Sequence, residues 1–265
     1  MAECGIDPAA PRRGVVLVHG GMHGAWCWER LVPMLEVDSV VVQLPGRTDA
    51  AEATRTTLDD YVAAIVDAAR GADFDEIVLV GHSLAGLTIP LAAAELGRRT
   101  VHLVYVSALV AGEDTVMTNL LPSPLRQHVA WHLKRTTGRG TNRLRLPRAV
   151  AKWYFCHDMS AADTEAVLGR LCAEPVDPMI QPLPPTQLTL ALPRTYIGFA
   201  ADRVVPRFVQ RRMAAKVGAQ YLTSPGGHDG LFNHPAPLAS LLNELAGRSR
   251  TRHTQRKTTG AQEHW

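Results

Sequence analysis

A chain of 265 residues, 46% of them apolar and 20% charged, can bury one large core and has the composition of an ordinary globular domain. Its formal net charge of +3 is too small to demand a nucleic-acid or membrane partner. No run approaches the ~18 apolar residues of a membrane-crossing helix.

In chain order, Gly14 to Val18 (GVVLV) reads as a buried strand ending at His19-Gly20-Gly21. Trp26, Trp28, Leu31, Val32 and Leu35 then recur at near-helical spacing, and Ser39 to Leu44 forms a second strand closed by Pro45-Gly46. Leu58, Tyr61, Val62, Ile65 and Val66 follow i, i+3, i+4, i+7, i+8, the apolar stripe of an amphipathic helix. Thr57 and Asp60 make a capping box at its start and Gly71 ends it. Ile77 to Val80 is a third strand, running into Gly81-His82-Ser83-Leu84-Ala85-Gly86 and a helix to Gly97. Pro90 inside that helix predicts a kink, because proline deletes a backbone hydrogen bond.

Val101 to Val106 is the fourth strand, and there the strand–helix rhythm stops. Residues 108–193 carry no strand signal and one clear helix, with Ser160 as N-cap and Asp163 behind it. A stretch that long reads as an inserted helical cap rather than a loop. Thr115 to His157 contains no acid but holds Arg126, Lys134, Arg135, Arg139, Arg143, Arg145, Arg148 and Lys152. Arg194 to Phe199 resumes the sheet, Pro206 opens a helix to Gly218, Gln220 to Thr223 is the last strand, and Pro235 opens a closing helix to Gly247. The expected fold is α/β, a mostly parallel six-stranded sheet flanked by helices, with its core in 14–107 and 194–247 and the cap in 108–193. Residues 1–13 and 248–265, the latter with Arg248, Arg250, Arg252, Arg256 and Lys257, read as disordered tails.

Gly81-His82-Ser83-Leu84-Ala85 lies between an apolar strand and a helix. A serine on a sharp strand-to-helix turn needs small residues two before and two after it, where the backbones nearly touch. Alanine at 85 departs from the usual glycine, although glycine follows directly. That turn also sets Ser83 at a helix N-terminus, which favours developing negative charge. His19-Gly20-Gly21 can bring the Gly21 N–H opposite that of Leu84, making an oxyanion hole worth roughly 3 kcal/mol per donor. A serine needs a base to react near neutral pH. Asp202, after YIGFAA, and His228, after SPGG, stand in the order Ser…Asp…His that such a sheet requires. The rival His234 precedes a helix-opening proline and reads as a surface or capping residue.

LVHGGMHGAWCWERLVPML, LVGHSLAG, YIGFAADRVVP and GGHDGLFNHPAPLASLL resemble the plant methylesterase and hydroxynitrile lyase branch of the α/β-hydrolases, which has bacterial esterase relatives. The resemblance spans roughly residues 14–246 and is poor in the cap. It implies a core without the two leading antiparallel strands, a triad of Ser83, Asp202 and His228, and an oxyanion hole at Gly21 and Leu84. The lyases it resembles carry lysine directly after the catalytic histidine to steady departing cyanide. Asp229 stands there in this chain and would repel that anion, so hydrolysis is expected.

The expectation is a serine hydrolase cleaving a carboxylic ester of a small to medium, mostly apolar molecule through an acyl-enzyme. A thioesterase, another acyl-transfer enzyme and a lactone hydrolase share the same triad, and a receptor-like binder of this fold with little turnover is the non-enzyme alternative. The basic stretch 126–152 admits an acyl group on coenzyme A or a carrier protein. A second copy of the chain, forming a homodimer, is a further partner that the sequence admits. No cofactor is expected: GxGxxG and P-loop patterns are absent. His128 and His132, four apart, lack a third ligand nearby and sit in basic surroundings, so they read as a solvated helix face rather than a metal site. Trp26, Trp28, Trp131 and Trp153 are candidates for pocket walls. Cys4, Cys27, Cys156 and Cys172 lack paired spacing, and residues 1–13 hold acids and prolines where a signal peptide needs an apolar run. Both fit a cytoplasmic protein.

Overall fold

The computed structural model describes residues 11–47, 56–110, 116–121, 123, 125–136, 143–183 and 190–247, with the backbone alone for 117, 118 and 132–136. Its main sheet has six strands: β1 Arg13–Val18, β2 Ser39–Val42, β3 Glu76–His82, β4 Thr100–Val106, β7 Arg194–Phe199 and β8 Gln220–Ser224. They lie in the order β2-β1-β3-β4-β7-β8 and every pairing is parallel. Parallel strands are covered on both faces, which is why they read as continuous apolar runs. Alternation along each strand divides the core. Val16, Val18, Ile77, Leu79, Leu103 and Tyr105 pack on one face, while Val15, Leu17, Val78, Val80, Val104 and Val106 pack on the other.

The first face is covered by helices α1 Leu58–Gly71 and α2 Ile89–Leu96. The capping box of α1 is present, with Thr57 Oγ1 accepting from the Asp60 N–H at 3.2 Å and Asp60 Oδ2 accepting from the Thr57 N–H at 2.8 Å. Helix α9, Pro235–Gly247, covers the second face through Leu238, Ala239 and Leu242. Between them in sequence, α7 Arg207–Lys216 starts after Pro206 as N-cap, and the short α8 spans Gly230–Asn233.

Residues between β4 and β7 form α3 Leu125–Thr136, α4 Arg148–Phe155, α5 Ala161–Arg170 and α6 Asp177–Ile180. Ser160 caps α5 as expected, accepting from the Asp163 N–H at 3.1 Å. This insertion also holds strands, contrary to expectation. Strand β5 Arg143–Leu144 pairs antiparallel with β6 Glu174–Pro175. Two residues with a proline among them carry no alternation for a pattern to register.

Three other expectations are corrected. The near-helical spacing of Trp26 to Leu35 belongs to two 3₁₀ turns, Ala25–Trp28 and Val32–Met34, closed by i to i+3 bonds such as Leu31 N–H to Trp28 O at 3.0 Å. Pro33 has no N–H to extend an α-helical ladder through this segment. Pro90 kinks nothing. A 3₁₀ turn at Ser83–Leu87 precedes α2, and Pro90 occupies its first turn, where backbone N–H groups have no intrahelical partner to lose. The N-terminal tail ends earlier than 1–13: Arg13 opens β1 and pairs with Glu76, and Arg12 pairs with Asp38 at 3.0 Å. Residues 1–10 and 248–265 lie outside the described residues.

Candidate active site

In a parallel sheet the chain leaves each strand at the same edge, and a crevice opens where the winding changes direction. Here β1 and β3 are neighbours while their following connections run opposite ways, and the predicted residues gather at that edge. The Gly20-Gly21 loop follows β1, Ser83 follows β3, Asp202 follows β7 and His228 follows β8.

Ser83 has φ +52, a left-handed conformation that a side chain pays for with roughly 1–2 kcal/mol. It exists because the strand must turn at once into the next helix. Gly81 makes this turn feasible, since a Cβ there would lie 3.0 Å from the backbone carbon and oxygen of Ala85. A Cβ on Gly86 would meet Leu109 O at 2.4 Å. The small-residue demand therefore falls on 81 and 86, and alanine is tolerated at 85.

Ser83 Oγ lies 2.9 Å from His228 Nε2, and His228 Nδ1 lies 2.8 Å from Asp202 Oδ2. An ionised carboxylate only accepts, so Nδ1 carries the proton and Nε2 is left to receive one from the serine. Asp202 is over-determined. Its Oδ1 accepts from the Val204 and Val205 N–H groups at 2.7 and 2.9 Å, and its Oδ2 also accepts from Ser107 Oγ. Ser107 closes β4 at φ +43 and has no sequence signature. All three candidate residues are buried. His234 is largely exposed and stands 3.9 Å from Asp158, away from the serine.

Gly21 faces Leu84: an ideal Cβ on it would lie 3.9 Å from the Leu84 Cβ. Leu44 N–H donates to His19 Nε2 at 3.1 Å, so Nδ1 holds the proton and donates to Gly20 O at 2.9 Å. That bond orients the peptide whose other end is the Gly21 N–H. On the far side, Met22 at φ +64 donates its N–H to Glu174 Oε2.

Glu174 was not foreseen. It is a buried carboxylate from β6, held by Arg47 through both terminal guanidinium nitrogens (Nη2 to Oε1 at 3.0 Å) and by Tyr61 Oη at 2.7 Å. The Glu174 field and hydrogen bonds outweigh burial and keep Arg47 charged. Arg47, directly after the second strand's Pro-Gly, was the only legible hint. The insertion touches two further loops. Asp158 accepts from the Gly227 N–H beside His228, and His157 Nε2 donates to Ala201 O beside Asp202 at 2.9 Å.

Ser83 opens into a cavity of about 60 Å³ walled by Leu84, Leu109, Leu121, Leu125, Leu144 and Phe155, with Glu174 as its one acid among the described residues. Trp131 and Trp153 are exposed and Trp28 is fully buried, so none is a wall of this cavity; Trp153 stacks beneath Arg203 instead. The side chain of His132 lies outside the described residues, and among the described residues no group of three candidate ligands could hold a metal.

His19 and His82 have pKa values driven well below the ordinary histidine range, first by burial and then by a neighbour, the Arg47 cation for His19 and the His228 ring for His82. Both are neutral in the fold but take up protons when unfolded below about pH 6.5. Stability is therefore whole above that pH and falls as pH drops through it, by up to about 1.4 kcal/mol per pH unit per histidine. Urea unfolding at pH 7 and pH 5 checks this, and equal midpoints would refute it.

The chain belongs to the alpha/beta hydrolase family, whose model matches residues 15–241. It is 25% identical over 248 residues to a pyrethroid hydrolase of Sphingobium wenxiniae, covering 88% of this chain and 87% of that one. Methylesterase 9 of Arabidopsis thaliana is 36% identical over 102 residues, a match spanning 36% of this chain and 40% of the plant protein. An extracellular alpha/beta-hydrolase from a Paenibacillus species has the same fold, with TM-score 0.80 at 20% identity over 89% of this chain and 99% of the other. No helix among the described residues is long and apolar enough to cross a membrane.

Proposed function

We infer that the protein is a serine hydrolase of carboxylic esters, with Ser83 as nucleophile, His228 as general base and acid, and Asp202 as its orienting carboxylate. The observation carrying this is the continuous relay from Ser83 Oγ through His228 to Asp202 at 2.9 and 2.8 Å. His228 takes the serine proton as Ser83 Oγ attacks the ester carbonyl. Gly21 and Leu84 N–H groups stabilise the resulting oxyanion. His228 then protonates the leaving alcohol, and water repeats the sequence on the acyl-enzyme.

The substrate's inner group is short and neutral. A cavity of about 60 Å³ has room for about four waters, its walls are apolar, and Arg47 is committed to Glu174. Residues 108–193 act as the cap over it. p-Nitrophenyl butyrate should be turned over well beyond one equivalent, and the decanoate at least tenfold more slowly in kcat/KM. A single stoichiometric burst without turnover would favour the receptor-like alternative.

A second reading, a thioester on coenzyme A or a carrier protein, is favoured by one observation. Arg145 and Arg148 line a separate cleft of about 240 Å³ that shares Met22 and Leu146 with the reaction cavity. Such attraction weakens with salt, so a salt-insensitive kcat/KM for acyl-CoA no better than for the neutral ester removes it. Cys27, Cys156 and Cys172 are free thiols, which suits a reducing compartment, and we assign the protein to the cytoplasm.

A further inference from the structure

His23 belongs to neither the triad nor the cavity wall, yet it is buried against the loop that carries Gly21. Its Nδ1 lies 2.7 Å from Gly21 O and its Nε2 lies 3.0 Å from Asp229 Oδ2. A carbonyl and an ionised carboxylate only accept, so both ring nitrogens must donate and the ring is an imidazolium. The Gly21–Met22 peptide is then gripped at both ends, its carbonyl by a buried cation and its N–H by the buried carboxylate of Glu174. We propose that His23, charged by Asp229, is a positioning residue that fixes the Gly21 N–H for oxyanion binding. The proposal rests on Gly21 being an oxyanion donor in the hydrolase reading above.

Asp229 therefore has a different task from the one its place after His228 suggests. Its carboxylate faces His23 and does not line the reaction cavity. The groups around the His23 ring are Trp26 at 5.4 Å, Phe155 of α4 at 5.3 Å and His82 of β3 edge-on at 6.0 Å. Arg47 adds positive repulsion, His19 stands nearby as a neutral ring, Cys172 Sγ lies 3.8 Å from the His23 carbonyl, and the Cys27 and Cys156 thiols lie within the field of Asp229. Burial opposes the charge on His23, but Asp229 and the two hydrogen bonds outweigh it and raise the pKa above the ordinary histidine value. The grip is thus present at low and neutral pH and is lost as pH rises through that raised pKa.

The test uses the whole protein with p-nitrophenyl butyrate and with a trifluoromethyl ketone, whose adduct with serine carries an oxyanion. His23→Ala should lower kcat about 10- to 100-fold, less than the 10²–10³ of deleting an oxyanion donor outright, with KM within twofold. Ketone affinity should fall by the same factor as kcat. His23→Asn, whose amide NH₂ takes the place of Nδ1, should recover kcat to within about threefold of the native protein. It should also abolish the alkaline decline in kcat that His23 imposes. Wild-type kcat in His23→Ala, or equal impairment in the alanine and asparagine variants, overturns the proposal. If His23→Ala does not fold, Asp229→Asn decides: it should lower kcat and remove the alkaline decline, and an unchanged pH profile overturns the proposal. Normal activity in the His23 variants beside an inactive Ser83→Ala removes only this inference, whereas full activity in Ser83→Ala removes the hydrolase reading with it.

Discussion

Ser83→Ala is expected to lower kcat for p-nitrophenyl butyrate by about 10⁴- to 10⁶-fold, the range seen when a triad nucleophile is deleted. The residual rate would come from the oxyanion donors and from substrate binding alone, which this substitution leaves intact. KM should change little, because the hydroxyl contributes to the transition state rather than to holding the apolar group. Alanine retains the Cβ and the φ of +52, so the folded structure and unfolding midpoint should match the native protein. Fluorophosphonate labelling should vanish in parallel. A variant retaining more than about 1% of kcat would place the nucleophile elsewhere. Its size follows from the relay: with the hydroxyl gone, His228 and Asp202 have nothing to activate.

The largest stability effect is expected at a residue outside the proposed triad. Arg47→Met should destabilise the protein by about 3–5 kcal/mol, the usual cost of leaving a buried charge without its partner. The side chains of Arg47 and Glu174 are 4% and 2% exposed, so water cannot take over the role of the guanidinium. Tyr61 and the Met22 N–H would remain as donors to Glu174, which is too little for an ionised carboxylate in an apolar wall. Arg47→Met with Glu174→Gln should cost clearly less than Arg47→Met alone, since the amide removes the stranded charge. Urea unfolding at pH 7 measures both. A single variant within 1 kcal/mol of the native protein would show that the pair contributes no more than a surface ion pair.

Strands were legible because burial on both faces leaves continuous apolar runs, and the meeting of Ser83, Asp202 and His228 because each follows a strand in a fixed order. Gly81 was legible through sterics that the geometry bears out. What escaped prediction shares a different physics. Ser107, Asp158, His157 and Glu174 act through polar contacts to segments distant in sequence, and such contacts leave no period. The β5–β6 ladder is two residues wide on each side, below any pattern's length. Trp26 to Leu35 misled because apolar spacing does not distinguish an α-helix from successive 3₁₀ turns, and Pro33 was the overlooked sign. Asp229 was read for its effect on a departing cyanide, whereas its carboxylate faces His23, which stands 206 positions away.

The insertion is pinned to the sheet edge at three loops: Glu174 on Met22, Asp158 on Gly227 and His157 on Ala201. Substrate range in such an architecture would diversify most freely through the helices above the cavity, but these anchoring points limit what can be exchanged. A chimera that transplants a relative's 108–193 equivalent would strip the loops carrying Gly21, His228 and Asp202 of their outer supports in one move. Grafts that keep the acid at 174 and the His157–Asp158 pair should retain turnover while changing chain-length preference. Grafts that drop them should fold around the same sheet and lose rate on every ester alike.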